Sequence, residues 1–297
     1  MKRTPYEVFK LVLEPLKGFG LRKYWLVRKI LAICRPHHIT VKGHRIKIDA
    51  GDFSVSEQLI MGKYETFEAG LLDALIRERD TVIDMGANIG YFTTMFATLA
   101  KSGRIFAFEP SPGTFSILRQ NMEQFSHVIP HQLALGESDG VVKLYLNDYN
   151  HGDNRIFPSF GVHGIDVPIR KLDDVLPQVT ADFVKMDIQG SEVYAMRGMR
   201  GIFSRSQSMY MLVEFWPEGL RRAGASIEEF VQIIEQEGFS FVVVDGENEK
   251  LLSMWGKELI SSLPNERTEN GGIVSVNLLC WRDRELPDAV KRYIENR

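Results

Sequence analysis

Cysteine is scarce in this chain: 297 residues contain two, Cys34 and Cys280. They form no metal-ligand spacing and no disulfide framework, which fits a reduced, cytosolic setting. Long hydrophobic runs are missing as well, since none reaches the roughly 18–20 residues that a membrane-spanning helix needs. The opening MKRTPYEVFK reads as no secretory signal, because Glu7, Lys10 and Glu14 break any apolar core and no small-residue cleavage site follows. Excess positive charge is absent: 36 Lys and Arg stand against 39 Asp and Glu, a net charge of −3, so no global field favours nucleic acid. The histidines show no ligand spacing, and the two carboxylates that could share a divalent ion, Asp187 and Glu214, are too few to assign a metal site. There is no internal repeat or low-complexity tract to suggest a solenoid or a disordered tail. The remaining composition, 44% hydrophobic and 25% charged, is that of an ordinary globular protein.

Two parts are expected, an N-terminal helical and hairpin extension over residues 1–55 and a main domain over 56–297. Within the first, GLRKYWLVRKILAICRPHH is basic and aromatic. Residues 21–33 read either as an amphipathic helix packed on the main domain or as one lying weakly on a membrane surface, peripheral to its inner face. ITVKGHRIKIDAGD (39–52) alternates about a glycine and reads as a hairpin. From Thr81 onward strands and helices alternate. Strands are expected at 81–85, 104–109, 128–134, 141–146, 182–187, 209–215, 240–245 and 273–282, and helices at 91–101, 113–125, 191–203 and 226–238. That order implies an α/β fold with a largely parallel sheet covered on both faces. The polar linker 246–272 gives only weak helical hints, which favours an antiparallel pairing of the last two strands over another crossover.

The most informative stretch is TVIDMGANIGYFTTMFATLAKSGRIFAFEP, residues 81–110. A strand ends in Asp84, a turn of Gly86, Ala87, Asn88, Ile89 and Gly90 follows, and a helix begins at Tyr91. Glycines there let the backbone approach a ligand closely. Glu109 ends the next strand, 25 residues after Asp84, where a carboxylate can accept both hydroxyls of a ribose. A dinucleotide would lay its pyrophosphate over this turn, but Asn88 stands where a glycine would be needed, and the acid at Asp84 repels phosphate. Asp84 suits an ammonium group instead. Adenine, ribose and an α-amino acid without phosphate describe S-adenosyl-L-methionine, with Pro110 and Ser111 on the adenine side and Ala134 and Leu135 bordering it. An NAD-dependent oxidoreductase and a non-catalytic scaffold are the rival readings, separable by titration with the two cofactors.

Together VIDMGANIGYFT, FAFEPSP, LALGESDGVVKLY, VPIRKLDDVL, DFVKMDIQGSE and LVEFWP resemble the FkbM-type methyltransferases over roughly residues 60–245. The resemblance implies a class I, Rossmann-like methyltransferase fold, with a mostly parallel seven-stranded sheet whose last strand is antiparallel. It also implies methylation of hydroxyls on sugars, glycans, glycolipids or polyketide-like natural products. It brings in Glu65, of GKYE, as a group reaching the cofactor's amino group. Many such proteins carry an acid where this chain has Gln189.

Ligands of open α/β sheets bind beyond the carboxyl ends of the strands, so Asp187, ending the fourth strand, is expected at the transferring methyl group. Its competing role is a helix N-cap, for which Ser191 is a rival. Lys185 shares a side of that strand with Asp187. Glu192 is expected to stabilise the first turn of the following helix, and Glu214 is a further candidate to face the acceptor. The polar loop NDYNHGDNRIF (147–157) offers His151. A hydroxyl acceptor must lose its proton as the new bond forms, and His151 or Asp187 is expected to take it. The partner implied is a small-molecule or saccharide hydroxyl.

Overall fold

The computed structural model describes residues 35–147, 150–158, 163–254 and 275–295, together with Gly256 and Leu259. The basic segment 21–33 lies outside them. Two strands, β1 (His38–Val41) and β2 (His44–Lys47), pair antiparallel as the expected hairpin. Their two-residue turn is Lys42-Gly43, both with positive φ (48° and 85°), a conformation that matches the twist of the flanking strands. Helices α1 (Val55–Ile60) and α2 (Thr66–Leu75) lead into the main domain.

There the order is β3 (Thr81–Met85), α3 (Tyr91–Leu99), β4 (Arg104–Phe108), α4 (Pro112–Met122), β5 (Val128–His131), β6 (Ala134–Leu135), β7 (Gly140–Leu146) and β8 (His163–Arg170). Next come α5 (Leu172–Val175), β9 (Phe183–Met186), α6 (Glu192–Arg197), α7 (Arg200–Arg205), β10 (Met209–Phe215), α8 (Pro217–Ala223) and α9 (Ile227–Gln236). The chain closes with β11 (Ser240–Asp245), β12 (Lys250–Leu252), β13 (Val276–Arg282), α10 (Asp288–Lys291) and β14 (Ile294–Glu295). Among the described residues no helix is long and apolar enough to cross a membrane.

The main sheet runs β14-β12-β11-β13-β10-β9-β3-β4-β5. Strands β5, β4, β3, β9 and β10 are parallel, and β13 slots between β10 and β11, antiparallel to both. The seven strands from β5 to β11 are the expected sheet with its antiparallel strand. The full sheet has nine, because β12 and β14 extend it past β11. Both are too short, at three and two residues, for alternation to mark them.

Strand β7, expected over 141–146, belongs to a separate three-stranded sheet in the order β6-β8-β7. Its centre, HGIDVPIR, holds a glycine, an aspartate and a proline, which erase the strand signal. Pro168 is tolerated because there β8 pairs only with β7, the contact to β6 starting at Ile169. The helix expected over 191–203 is two, α6 and α7, separated at Gly198-Met199.

Alternation along the buried strands divides the core into two layers. On β9, Val184 and Met186 join one layer with Ile83, Met85, Met211 and Phe215. Phe183 faces the other, with Val82, Phe92, Phe96 and Leu212. Asp84 and Lys185 alternate onto the second side and are register partners across β3 and β9. Two charged groups are thus held side by side at the carboxyl end of the sheet.

Candidate active site

A cleft of about 300 Å³ opens beyond the carboxyl ends of β3, β4, β9 and β10. Its floor is the β3–α3 turn. Gly86 has φ +81°, and a Cβ there would lie 1.9 Å from the Asp187 carbonyl oxygen, so only glycine lets the two loops meet. Asn88 also has positive φ (51°), which asparagine tolerates, and its Oδ1 accepts from the Ile89 N–H at 2.7 Å. Asp84 is fully buried. Its Oδ2 accepts from the Thr93 hydroxyl at 2.6 Å, whereas Oδ1 has no partner. Burial pushes its carboxyl up, against the pull of Lys185.

Glu109 follows β4. One oxygen accepts from the Ser111 N–H (2.8 Å) and the other from the Asn88 N–H (3.1 Å), so the carboxylate faces the cleft at a fixed angle. Burial raises it to about 7 despite those bonds. An apolar wall of Phe108, Pro110, Leu133, Ala134, Leu135 and Leu144 lies beside it.

The opposite end is crowded with acids around one base. Lys185 Nζ lies 3.2 Å from Asp187 Oδ2 and sits over the Phe92 ring at 4.8 Å. Burial works against its charge, yet Asp187, Glu65 and Asp84 together drive its pKa upward. Gln189, in a left-handed conformation (φ 55°), donates one amide nitrogen to Asp187 Oδ1 (2.8 Å) and Glu214 Oε2 (3.0 Å). Burial and the nearby Asp187 charge push Glu214 well above the usual carboxylate range. Glu65 caps α2 with φ 41°, its Oε2 is buried without a partner, and burial raises it to about 7. Asp187 does not cap α6, and neither does Ser191, whose position carries no side-chain cap. Glu192 binds the loop instead, accepting from the Ile188 and Gly190 N–H groups at 3.1 and 3.2 Å.

Covering the cleft is the segment after β7. A single-turn helix, His151–Asp153, follows Asn150, and Tyr145 and Arg155 exchange backbone hydrogen bonds at 2.8 and 3.2 Å that strap it to β7. His151 Nδ1 lies 2.5 Å from Asp49 Oδ2, in the loop after β2. Asp52, in the same loop, accepts from the His151 N–H at 3.3 Å. That hairpin is in turn locked to the glycine turn by Asn121 on α4. Its amide accepts from the Lys47 N–H (2.7 Å) and donates to the Lys47 and Ile89 carbonyls (2.9 and 2.7 Å).

Of the residues expected in the site, Glu65, Asp84, Gly86, Ala87, Asn88, Glu109, Pro110, Ala134, His151 and Asp187 line this one cleft. Gly90 and Ser111 stand behind it. A Cβ on Gly90 (φ +91°) would press on Leu118 and Met122 at 2.9 Å, so its glycine serves helix packing. Ser111 acts through its backbone on Glu109. Sequence patterns gave no sign of Asp49, Asp52, Tyr64, Thr93 or Asn121. The donor set fits the expected methyl donor: two buried carboxylate oxygens without partners, on Glu65 and Asp84, suit its ammonium group. Glu109 retains lone pairs for a diol, and the apolar wall suits a purine. Among the described residues, no group of three or more His, Cys, Asp or Glu could hold a metal ion.

The methyltransferase FkbM domain matches residues 84–241. Over 145 residues the chain is 30% identical to Methyltransferase 1 of Beauveria bassiana, a match covering 40% of this chain and 57% of that protein. It is 25% identical over 179 residues to the hexuronic acid methyltransferase AglP of Haloferax volcanii, covering 59% and 73% of the two. Among solved structures, TYW2 of M. jannaschii in complex with AdoMet aligns at 14% identity with a TM-score of 0.42, over 84% of this chain and 86% of that one.

Proposed function

Because the chain belongs to the FkbM methyltransferase family, we propose that it transfers a methyl group to a hydroxyl of a sugar, glycan or similarly polyhydroxylated natural product. The methyl donor is S-adenosyl-L-methionine, which supplies an electrophilic methyl group on a sulfonium when bound. In this reading Asp84 and Glu65 receive the donor's ammonium and Glu109 its ribose hydroxyls. Gly86 and Asn88 shape the floor, while Pro110 and Ala134 border the base.

The observation that carries the proposal is the pair of partnerless buried oxygens on Asp84 and Glu65, in the cleft that also holds Glu109. Buried acceptors left unpaired are costly, which favours a cationic ligand with several donors. The acceptor class is inferred from the cover. Asn150, His151, Asn154, Gln189 and Glu214 present hydrogen-bonding groups to the cleft rather than an apolar face, as suits an acceptor bearing several hydroxyls. The Haloferax relative, whose name specifies a hexuronic acid, points the same way. The chain's own part in the reaction is to hold the acceptor oxygen in line, exclude bulk water and remove one proton.

Incubation of the full chain with isotopically labelled donor and a cell extract, followed by mass spectrometry of the labelled products, tests the proposal. Label recovered as a methyl ether on a polyhydroxylated compound is the expected result. Label found only on nitrogen or carbon would refute it, as would calorimetry showing no donor binding at millimolar concentration.

A further inference from the structure

His151 reaches the cleft from a loop, yet the hairpin about 100 residues earlier determines how it sits (sequence separations of 102 and 99 to Asp49 and Asp52). We propose that Asp49 is a positioning residue of the acceptor site: it holds His151 with its proton on Nδ1, so that Nε2 takes the proton of the acceptor hydroxyl. This rests on the hydroxyl-acceptor reading above. As the methyl carbon bonds to the acceptor oxygen, the O–H proton passes to Nε2, and the electron pair of the breaking carbon–sulfur bond stays on sulfur.

Four observations support the assignment. The Asp49 carboxylate is fixed before it meets the ring, because Oδ1 accepts from the Gly51 N–H at 2.8 Å while Oδ2 faces His151 Nδ1 at 2.5 Å. A carboxylate on Nδ1 selects the tautomer whose other nitrogen is basic. Asp52 holds the backbone of the same histidine and also accepts from the Ser54 and Ser56 N–H groups at 3.1 and 2.5 Å, so the loop is internally braced. The two loops touch where small residues permit it. A Cβ on Gly51 would lie 3.2 Å from His151 Cε1, and one on Gly152 would lie 2.6 Å from a Val55 methyl. Finally, the rival base is engaged elsewhere, since one Asp187 oxygen meets the Lys185 ammonium and the other the Gln189 amide. That arrangement suits a group that fixes its neighbours rather than one that trades a proton.

The charge balance around His151 agrees. Burial pushes Asp49 up, but the bond to His151 and its charge hold the carboxyl below its ordinary value. Asp52 of the hairpin loop also contacts the histidine, through its backbone N–H, and Asp153 of the same segment is ion-paired with Arg155.

The test uses full-length protein labelled with [15N]histidine. His151 is assigned by the signal missing in His151→Gln, and its tautomer and titration are read by long-range 1H–15N NMR. In the wild type the expected neutral form is Nδ1–H. In Asp49→Asn the preference for that form weakens, and the titration midpoint falls to lower pH, because a negative charge that favours the imidazolium has gone. With the acceptor found by the labelled-donor experiment, Asp49→Asn lowers kcat by roughly 100-fold with donor affinity within about twofold of wild type, and Asp49→Glu restores part of the rate. An Nε2–H tautomer in the wild type, a titration unchanged in Asp49→Asn, or a kcat within about threefold of wild type overturns the proposal. These results are separable from failure of the hydroxyl reading, which shows as methyl label on another atom while the NMR still reports on the pair.

Discussion

Replacing Glu109 with glutamine tests the role proposed for it in holding the donor's ribose. In the wild type each carboxylate oxygen accepts one backbone N–H, from Ser111 and from Asn88. Glutamine can answer only one of them with its oxygen, and its NH2 meets the other donor face to face, a mismatch of about 1–3 kcal/mol. One acceptor for the ribose diol is lost with it. Donor affinity should therefore fall by roughly 30- to 100-fold at about 1.4 kcal/mol per factor of ten, read by calorimetry. Stability adds an independent check. Burial raises Glu109 from its ordinary 4.5 to about 7 in the folded protein. A group with a raised folded pKa contributes its full stability below the unfolded value and loses it as pH climbs through the folded one. The loss between pH 5 and 7 is about 3 kcal/mol, at about 1.4 kcal/mol per pH unit. Glutamine, neutral throughout, does not share it. Glu65 and Glu192 titrate in the same direction but are common to both proteins, so they cancel in the difference. The melting temperature of Glu109→Gln, taken relative to wild type without ligand, should thus rise by about 6 °C from pH 5 to pH 8, at about 2 °C per kcal/mol. A difference constant within about 1 °C across that range, or donor affinity within about threefold of wild type, would refute the reasoning.

Two further substitutions test the loops that frame the site. Gly86→Ala sets a Cβ 1.9 Å from a backbone carbonyl at a residue with φ +81°, so neither side can yield; a loss exceeding about 3 kcal/mol is expected in urea unfolding, and a loss under about 1 kcal/mol would mean the two loops do not approach as described. Gln189→Glu removes the amide that donates to both Asp187 and Glu214 and adds a third carboxylate. The variant should be about 2 kcal/mol less stable than wild type at pH 8 and much closer to it at pH 5, where carboxyls protonate more readily; a deficit equal at both values contradicts that account of Gln189.

The donor half of the site was legible because its geometry is local. Short apolar stretches announced β3 and β4, glycines punctuated the turn, Asp84 is the last but one residue of β3 and Glu109 directly follows β4. Strands neighbouring in the sheet bring such ends together, so their spacing along the chain carries the geometry. Gln189 shows the limit of the same approach. An amide where an acid is common casts doubt on any role needing charge, yet only the fold reveals that this amide meets two carboxylates at once. Strand β8 was hidden by its own proline and glycine, and β12 and β14 by their brevity. Thr93 looked like an ordinary member of a helical stretch, since nothing in its neighbours marks the buried Asp84 it faces.

On the proposed acceptor side His151, Asp187 and Glu214 were legible as candidates, but the contacts that set their positions were not. That side is lined by the cover at 150–156 and the carboxyl ends of β9 and β10, with the loop at 49–52 behind His151, and none of the three adjoins the other two in sequence. The contacts that join them are single hydrogen bonds across long separations, such as Asp49 to His151 and Asn121 to Lys47. No periodicity records a bond of that kind. The FkbM match begins at Asp84, so the hairpin lies before it and the glycine turn within it. A change at the hairpin can re-aim His151 without disturbing Asp84 or Glu109, because Asn121 anchors β2 through its backbone whatever side chains the loop carries. In the proposed reading this arrangement separates acceptor selectivity, set by loops, from donor binding at the glycine turn.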